Sequence, residues 1–531
     1  MAVGDLIHLL FSTAIIPAAF GGVAWGILGG ALPGISPSIT MALLLPFTYG
    51  MDSTVAVVLL ASTYVGAEYG GSIPAILIGT PGTNAAAATV IDGYEMKRQG
   101  KAGEALGISL YSGFVGGLFG FLVLVLLTER LSSVALAFTP SSYFALGMLG
   151  LSVIASLAGD SLLKGLIAGV IGLMIATIGT DPVTGLNRFT FGSPELLSGI
   201  PAILVMVGLF AVSEMLVQTT APAWEKATHE TARIRFPSPA LWRRIARPQA
   251  IGSVIGAFEG MMPGAGGAIS SFLAYNEARR WSRHSEEFGH GSPEGVAAPE
   301  AANNTVACTA LVPMLSLGIP SSNSAAVLLG GFLMHELVPG PMLFVQHGEV
   351  VRGLYAGLLV ANIAMLIIGY LIMGPCIWLV SRPKPYLMAF IYALVVSGVY
   401  AFQASLFNVG IALAFGVVGY ALRYFAVPFL PMVLGVVLGF MIESNYRRAL
   451  VLSNGDLSTF VRAATEDWRL ETEYFQRPTR EPASSRPETL HFACSPEVIH
   501  LQAAKWTFCC DTYSEWDCWT GMSCGVSLRP S

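Results

Sequence analysis

Two short polar segments interrupt long apolar runs and could do chemistry. The first reads G-T-P-G-T-N over residues 79–84, and the second reads G-I-P-S-S-N over residues 318–323. Proline and glycine cannot continue a helix without strain, so the backbone must open at both places. A helix that resumes after such a break presents free N–H groups and the positive end of its dipole, which suit an anionic ligand.

The pattern predicts one helix that ends near Ile78 and another that begins near Thr83. Opened backbone at membrane depth is tolerated where it lines a cavity or is buried in protein. We therefore predict that the two breaks, one from each half of the chain, form a site for a small anion or a coupling cation. The alternative is that each break only kinks a packed helix. The predicted substrate-binding residues at the breaks are Thr80, Gly82, Thr83, Asn84, Ser321, Ser322 and Asn323, with Pro81 and Pro320 opening the backbone.

Acidic residues inside apolar stretches are the second set of candidates. Glu300 lies at helical spacing from Asn303 and Asn304, which predicts a Na⁺ or H⁺ ligand beside two amides that bind substrate or ion. The alternative is that Pro299 and Glu300 form the first turn of a helix. Glu68 and Glu259 are further candidates for ion coupling, or else residues that reach an aqueous vestibule.

A pair of glycine-rich segments precedes these sites. Gly22, Gly26 and Gly30 recur at a spacing that allows close approach of two helices, so a packing role is the better prediction for them. Each segment then breaks at a Pro-Gly pair, Pro33-Gly34 in one and Pro263-Gly264 in the other. The serines that follow, among them Ser36 and Ser38, are weaker site candidates.

The composition requires a membrane as solvent. Only 28 Lys plus Arg and 33 Asp plus Glu occur in 531 residues, which is 11 % charged against roughly 25 % in soluble chains. At about 20 residues per span, the apolar runs predict roughly 10 to 14 transmembrane or re-entrant segments with broken helices. The predicted fold is an all-α polytopic integral membrane protein.

The chain also contains an internal duplication. Gly22, Gly26 and Gly30 recur 230 positions later as Gly252, Gly256 and Gly260, and the polar break recurs 239 positions later. Basic residues collect on the cytoplasmic side, and they follow the break in the first copy (Lys97) but the glycine segment in the second (Arg279). These loops predict two halves that form an inverted repeat.

The predicted organisation has four parts. Residues 1–218 form the N-terminal repeat half, 219–249 a cytoplasmic connector, 250–442 the C-terminal repeat half and 443–531 a polar tail, disordered or aberrant beyond about residue 478. Five of the seven cysteines lie in that tail, in a spacing that is not typical of a zinc site.

Several function classes are excluded by what the sequence lacks. A net charge of −5 and the absence of a basic stripe argue against a nucleic-acid partner. Neither a hydrolase motif nor a phosphate-binding loop is present, so we predict no catalytic residues, no cofactor and no metal beyond Na⁺. The predicted coupling ion is Na⁺ or H⁺.

The motifs also resemble those of a known family. The stretches G-A-L-P-G-I-S-P-S, Y-G-G-S-I-P-A-I-L-I-G-T-P-G-T-N and P-E-A-A-N-N-T-V-A are similar to the large membrane subunit of the tripartite tricarboxylate transporters. The resemblance covers about residues 5 to 475. It identifies Asp92-Gly93-Tyr94 as part of a cytoplasmic motif with a structural or gating role.

The resemblance implies binding-protein-dependent uptake of small carboxylates, such as citrate or a dicarboxylate, by symport down a sodium or proton gradient. The implied partners are a periplasmic solute-binding protein, a small four-span membrane subunit and the lipid bilayer of the bacterial inner membrane. The alternatives are a carrier or channel for small anions that needs no binding protein, or a membrane-embedded enzyme.

Overall fold

A computed structural model describes residues 14–32, 34–136, 138–157, 161–181, 185–220, 234–262, 266–380 and 384–460. All of them belong to one compact unit, Met1–Glu471. Within these ranges the regular secondary structure is helical apart from one short hairpin, which confirms the predicted all-α class. The predicted boundary near residue 478 lies outside the described residues.

The first part of the chain carries helices α1 to α9. They are α1 Ile15–Gly30, α2 Pro37–Leu44, α3 Ser53–Gly70, α4 Ser72–Ile78, α5 Ala87–Arg98, α6 Ala102–Ala135, α7 Pro140–Leu157, α8 Leu162–Ala176 and α9 Ala202–Thr220. Between α8 and α9, strands β1 (Gly179–Thr180) and β2 (Asn187–Arg188) pair antiparallel.

The second part carries helices α10 to α20. They are α10 Pro239–Met261, α11 Gly266–Trp281, α12 Pro293–Thr309, α13 Leu311–Leu317, α14 Asn323–Met334, α15 Pro341–Gln346, α16 Gly348–Leu371, α17 Met373–Val380, α18 Lys384–Gln403, α19 Leu406–Tyr424 and α20 Leu430–Leu452. Helix α10 thus begins inside the predicted connector, and α20 continues into the predicted tail.

Four helices in the described ranges are long and apolar enough to cross a bilayer alone, namely α6, α9, α16 and α19. Others are apolar but shorter, such as α1 and α8. At 1.5 Å per residue, a helix of 16 residues falls short of a hydrocarbon core of about 30 Å. Short helices of this kind are what broken or re-entrant segments require.

The duplication is visible in how helices pack. A Cβ atom added at Gly26 of α1 would lie 2.3 Å from the carbonyl oxygen of Thr63 in α3, and one at Gly256 of α10 would lie 2.4 Å from that of Ala302 in α12. Thr63 and Ala302 are themselves 239 positions apart. The predicted packing role of the glycines is therefore confirmed, and the same seam occurs twice.

We call α1–α5 the first repeat unit and α10–α14 the second repeat unit. The helices that follow each unit pack across onto the other one: α6 lies against α12, and α16 lies against α1 and α3. Gly116 of α6 allows this approach, since its added Cβ would meet the carbonyl oxygen of Ala301 at 2.2 Å. The two units share one core, and their relative orientation across the membrane stays a prediction.

Candidate functional site

The backbone opens at both predicted breaks. Gly79 caps the C-terminal end of α4 and Gly318 that of α13, both in the left-handed conformation, with φ of 68° and 75°. Beyond the second break, α14 restarts at Asn323, with the Ser322 hydroxyl accepting the Ala325 N–H at 3.1 Å. Glycine is favoured at these helix ends because it has no Cβ to clash.

The first break is longer than predicted. A helix restart near Thr83 is wrong, because α5 begins only at Ala87. The Thr83 hydroxyl and carbonyl both accept the Ala86 N–H at 3.2 Å, which closes a tight turn ahead of the helix. Asn84 therefore lies in a turn, whereas its counterpart Asn323 is the first residue of a helix.

Both breaks open onto one cavity of about 260 Å³. The lining comes from the ends of several helices and from one face of α3. Its residues are Ser36, Pro37, Ser38, Tyr64, Glu68, Thr83, Asn84, Ala85, Gly267, Ala268, Ser322, Asn323, Ser324, Pro428, Phe429 and Leu430.

Most of the lining residues come from segments that correspond to each other in the internal duplication. Residues 36–38 correspond to 266–268 at a shift of 230, and residues 83–85 correspond to 322–324 at a shift of 239. The first pair of segments starts α2 and α11, and 322–324 starts α14. Helix starts from both repeat units thus meet at the cavity, and each brings N–H groups that lack an intrahelical partner.

Among the described residues, Glu68 is the one carboxylate in the lining, and no lysine or arginine accompanies it there. Its side chain is nearly buried, and its Oε2 atom has no hydrogen-bond partner within the described part of the chain. The Asn303 amide donates to the Glu68 carbonyl oxygen at 3.3 Å, while Asn303 Oδ1 is also buried without a partner. Two oxygen atoms without donors are chemically suited to a cation.

Asn303 reaches the cavity edge indirectly. Its Oδ1 atom lies 2.8 Å from the Cβ position of Gly267, a residue of the lining. Any larger residue at 267 would cover this oxygen. Asn303 therefore stands one atom layer behind the cavity wall, close to the polypeptide around Glu68.

Two hydroxyl contacts join the repeat units at the cavity. Ser38 Oγ lies 3.2 Å from Ser324 Oγ, and the Tyr64 hydroxyl lies 3.4 Å from Ser322 Oγ. Each contact pairs a residue of the first unit with one of the second. Separation of the two units would break both.

Several predicted residues lie away from the cavity. Thr80 is exposed, and Gly82 packs so closely that its added Cβ would lie 2.0 Å from the Gly30 carbonyl oxygen. Ser321 is buried and donates to the Ala310 carbonyl oxygen at 3.4 Å. These three residues shape the breaks and do not line the cavity.

The predicted prolines and one of the predicted acidic residues also lie outside the cavity lining. Pro81 and Pro320 lie within the two breaks but not in the lining, and Gly34 turns the chain ahead of α2 with φ of 81°. Glu259 is half-buried near the end of α10, away from the cavity. The remaining predicted backbone breaks, Pro33, Pro263 and Gly264, lie outside the described residues.

Glu300 occupies a separate buried cluster. Its Oε1 accepts hydrogen bonds from the hydroxyls of Ser72, at 2.6 Å, and Thr89, and its Oε2 accepts from Ser109 at 2.9 Å. Asn304 donates to the Glu300 carbonyl oxygen at 3.0 Å. The alternative of a helix first turn at Pro299 is wrong, because α12 begins at Pro293.

Sequence reasoning missed Tyr64 and the start of α20, and it undervalued Ser36 and Ser38. Tyr64 had two signals: it lies one helical turn before Glu68, and its counterpart at a shift of 239 is Asn303. The α20 contribution, residues 428–430, has no counterpart in the duplicated blocks, so no repeat comparison could identify it.

The fold and the cavity define a class of protein: an all-helical membrane protein whose duplicated, broken helices surround one polar cavity. The chain belongs to the tripartite tricarboxylate transporter TctA family, whose profile matches residues 16–434. It is a subunit of a membrane transporter.

Two relatives from Agrobacterium vitis are similar to this chain. An uncharacterized 52.8 kDa protein in the TAR-I ttuC' 3' region is 38 % identical over 466 residues, which cover 86 % of this chain and 92 % of that protein. An uncharacterized protein in the TAR-II ttuC' 3' region is 34 % identical over 210 residues, which cover 39 % of this chain and 85 % of that protein. No solved structure matches the chain.

Proposed function

We propose that this chain is the large transmembrane subunit of a binding-protein-dependent secondary transporter that imports small carboxylates across the bacterial inner membrane. The observation that carries the proposal is the meeting of helix starts from both repeat units at one cavity. Helix N-termini stabilise anions, and a site at the interface of two repeats is a common arrangement in secondary transporters.

In this proposal the substrate carboxylates face residues 36–38, 83–85 and 322–324. Backbone N–H groups at the starts of α2 and α14 and the side-chain amides of Asn84 and Asn323 donate hydrogen bonds to carboxylate oxygens. No lysine or arginine of the described ranges lines the cavity, so these neutral donors are the main source of anion recognition. A tricarboxylate such as citrate, or a dicarboxylate, has enough oxygens to use donors from both units.

Glu68 is the proposed coupling residue. Its unpartnered Oε2 and the unpartnered Oδ1 of Asn303 would bind a sodium ion, or Glu68 would take up a proton. Either event reduces the negative charge beside the cavity and so favours occupancy by an anionic substrate. Uptake of substrate and cation would then be linked.

The partners follow from the family, whose transport systems are tripartite. We propose a periplasmic solute-binding protein that delivers substrate and a small four-span membrane subunit that completes the complex. Both are expected to be required for uptake.

The experiment that tests this function is uptake of labelled carboxylates by cells that express the chain with its small subunit. The assay compares cells with and without the binding protein, under imposed sodium or proton gradients. We expect uptake only with both the binding protein and a gradient. Uptake without the binding protein would instead establish an independent carrier or channel.

Variants then test the cavity itself. Asn84→Leu and Asn323→Leu remove one amide each and are expected to abolish uptake while the protein still reaches the membrane. Asn445→Leu is the matched control, because Asn445 lies on α20 outside the lining and bonds the Met441 carbonyl oxygen. Normal uptake by both cavity variants would contradict the proposed site.

A further inference from the structure

A second cavity, of about 460 Å³, lies between α10, α11 and the start of α12. Its lining is unlike that of the first cavity, because it carries four arginines: Arg243, Arg244, Arg247 and Arg283. We propose that this second cavity binds the phosphate group of an anionic ligand, either a phospholipid headgroup or a soluble phosphate compound.

The positive charge in the second cavity exceeds the negative charge. Arg244 is neutralised, since its Nε atom lies 2.9 Å from Glu294 and its Nη2 atom lies 2.5 Å from Glu287. Arg243, Arg247 and Arg283 make no ion pair with any acid in the described ranges. The four guanidinium groups therefore exceed the two carboxylates by two positive charges, and three of the four have no ion-pair partner in the described ranges.

A buried carboxylate and an exposed aromatic ring hold the cavity wall in place. Glu294 is 4 % exposed and accepts hydrogen bonds from Arg244 and from the Ser282 hydroxyl, the latter at 2.6 Å. Arg247 lies over the ring of Trp281, 5.7 Å from its centroid. A buried carboxylate and an aromatic ring therefore restrain two of the arginines. Restrained guanidinium groups suit phosphate because they present several N–H donors in a fixed plane.

The surroundings favour a lipid as the source of the phosphate. On the same two helices, Phe258 of α10 is 67 % exposed and Phe272 of α11 is 42 % exposed, so apolar surface continues from the cavity along both helices. Trp281 is also exposed, as expected of an aromatic residue at the membrane interface. The positive-inside rule places this arginine-rich end in the cytoplasmic leaflet, and basic pockets between helices on that side bind anionic headgroups.

Arg280, outside the cavity, provides a control. Like Arg247, it is exposed and lies over the ring of Trp281, 6.0 Å from its centroid. It differs in that it pairs with Glu277 at 3.6 Å and is not part of the lining. If any basic residue at the membrane surface attracted anions equally well, Arg280 would matter as much as Arg247 or Arg283. If the arginines of the lining form a specific site, substitution of Arg247 or Arg283 should weaken binding more than substitution of Arg280.

The test measures ligand binding to the purified, delipidated full-length chain by native mass spectrometry. Phosphatidylglycerol and phosphatidylcholine are titrated separately, and inorganic phosphate and pyrophosphate form a second arm. We expect phosphatidylglycerol to bind in preference to phosphatidylcholine. The double variant R247Q/R283Q should bind it about 30-fold more weakly, equivalent to ~2 kcal/mol at about 1 kcal/mol per basic residue. R280Q should bind like the unsubstituted chain.

Each outcome decides the proposal. If phosphate or pyrophosphate binds with the same dependence on Arg247 and Arg283 and the lipid does not, the site stands with a soluble ligand. If no phosphate compound binds, or if R247Q/R283Q and R280Q lower binding equally, the proposal is overturned. The thermal unfolding temperature of each variant, measured without ligand, should equal that of the unsubstituted chain, so that weaker binding is not caused by loss of folding. Arg243→Gln tests a third arginine of the lining in the same way and should also weaken binding.

Discussion

The hydroxyl oxygens of Ser38 and Ser324 lie 3.2 Å apart, although the two residues are 286 positions apart in the chain. Ser38 lies in the first turn of α2 and Ser324 in the first turn of α14, so the contact joins helix starts from the two repeat units. The two starts are not counterparts, since α2 corresponds to α11 and residues 322–324 correspond to 83–85. A neutral hydroxyl pair is a weak link, worth about 1 kcal/mol. The units are thus held together at the cavity by bonds that can be exchanged for bonds to water or substrate when the units move apart.

Replacing Glu68 should uncouple transport from the ion gradient. Glu68→Gln keeps the side-chain volume and removes the carboxylate, so a bound sodium ion would lose its charged ligand, and a proton its binding group. We expect accumulation of substrate against its gradient to fall by at least about tenfold. Exchange of substrate across vesicles loaded on both sides should persist, since the helix starts are intact.

The control for this experiment is Glu259→Gln. Glu259 is also an acid in an apolar helix, but it lies outside the cavity lining. The Glu259→Gln variant should accumulate substrate like the unsubstituted protein. If Glu68→Gln also accumulates substrate like the unsubstituted protein, Glu68 is not the coupling residue and the hydroxyl-bound Glu300 becomes the next candidate.

The glycine seams should not tolerate a methyl group. Gly26→Ala and Gly256→Ala each place Cβ within 2.4 Å of a carbonyl oxygen on the facing helix, which forces the two helices apart. Overpacking of this kind costs about 1 to 3 kcal/mol. We expect both variants to unfold at lower temperature in detergent, by similar amounts, because the seams are copies of each other.

Gly410→Ala is the matched substitution, since Gly410 lies in α19 with nothing within 4 Å of its Cβ position. Its unfolding temperature should stay the same or rise slightly, because alanine is the better helix former. Equal losses at Gly26, Gly256 and Gly410 would mean that the seams have no special role.

Asp92 fastens the loop ahead of α12 to the first repeat unit. One carboxylate oxygen accepts the N–H groups of Gly289, Gly291 and Ser292 at 2.8 to 2.9 Å, and the other accepts the Tyr275 hydroxyl at 2.9 Å. Hydrogen bonds to a charged group are each worth about 1.5 to 3 kcal/mol. The loss of four such bonds should release the loop.

Asp92→Ala should therefore make this loop more accessible to trypsin in inside-out vesicles, with faster cleavage after Arg283. Asp92→Asn keeps an oxygen that can accept N–H groups and should restore most of the protection. Asp52→Ala removes an exposed helix cap and should leave the loop protected. Equal cleavage of all three variants would contradict the assigned role of Asp92.

The sequence allowed the breaks and seams to be predicted because local rules determine them. Proline, glycine and the left-handed ends at Gly79 and Gly318 act within a few residues, and the duplication then pairs them. For the same reason, the predicted substrate-binding set includes residues outside the cavity lining. Thr80 and Gly82 share the motif with Thr83, but Gly82 packs against Gly30 and does not line the cavity.

Contacts between distant segments could not be predicted in this way. Glu300 looked like a neighbour of Asn303 and Asn304 along one helix, yet its carboxylate bonds hydroxyls that are 191 to 228 positions away. Nothing near Glu300 in the chain identifies Ser72 or Ser109 as partners. The packing of α12 against α4, α5 and α6 decides which acid is fully satisfied by hydroxyls and which, Glu68, keeps an oxygen without a partner.

The orientation of the two repeat units can be tested by labelling corresponding loops. Gly50 follows the glycine segment of the first unit, and Glu286 lies in the loop after that of the second; both are exposed. If the units are inverted, the basic loop that contains Glu286 is cytoplasmic, and the loop that contains Gly50, which has no basic residue, is periplasmic. A membrane-impermeant maleimide should then label Gly50→Cys in spheroplasts, and Glu286→Cys only after permeabilisation.

Both variants are made in a chain whose five tail cysteines are replaced with serine. The other two cysteines, Cys308 and Cys376, are buried and can stay. Labelling of both positions under the same condition would show parallel units.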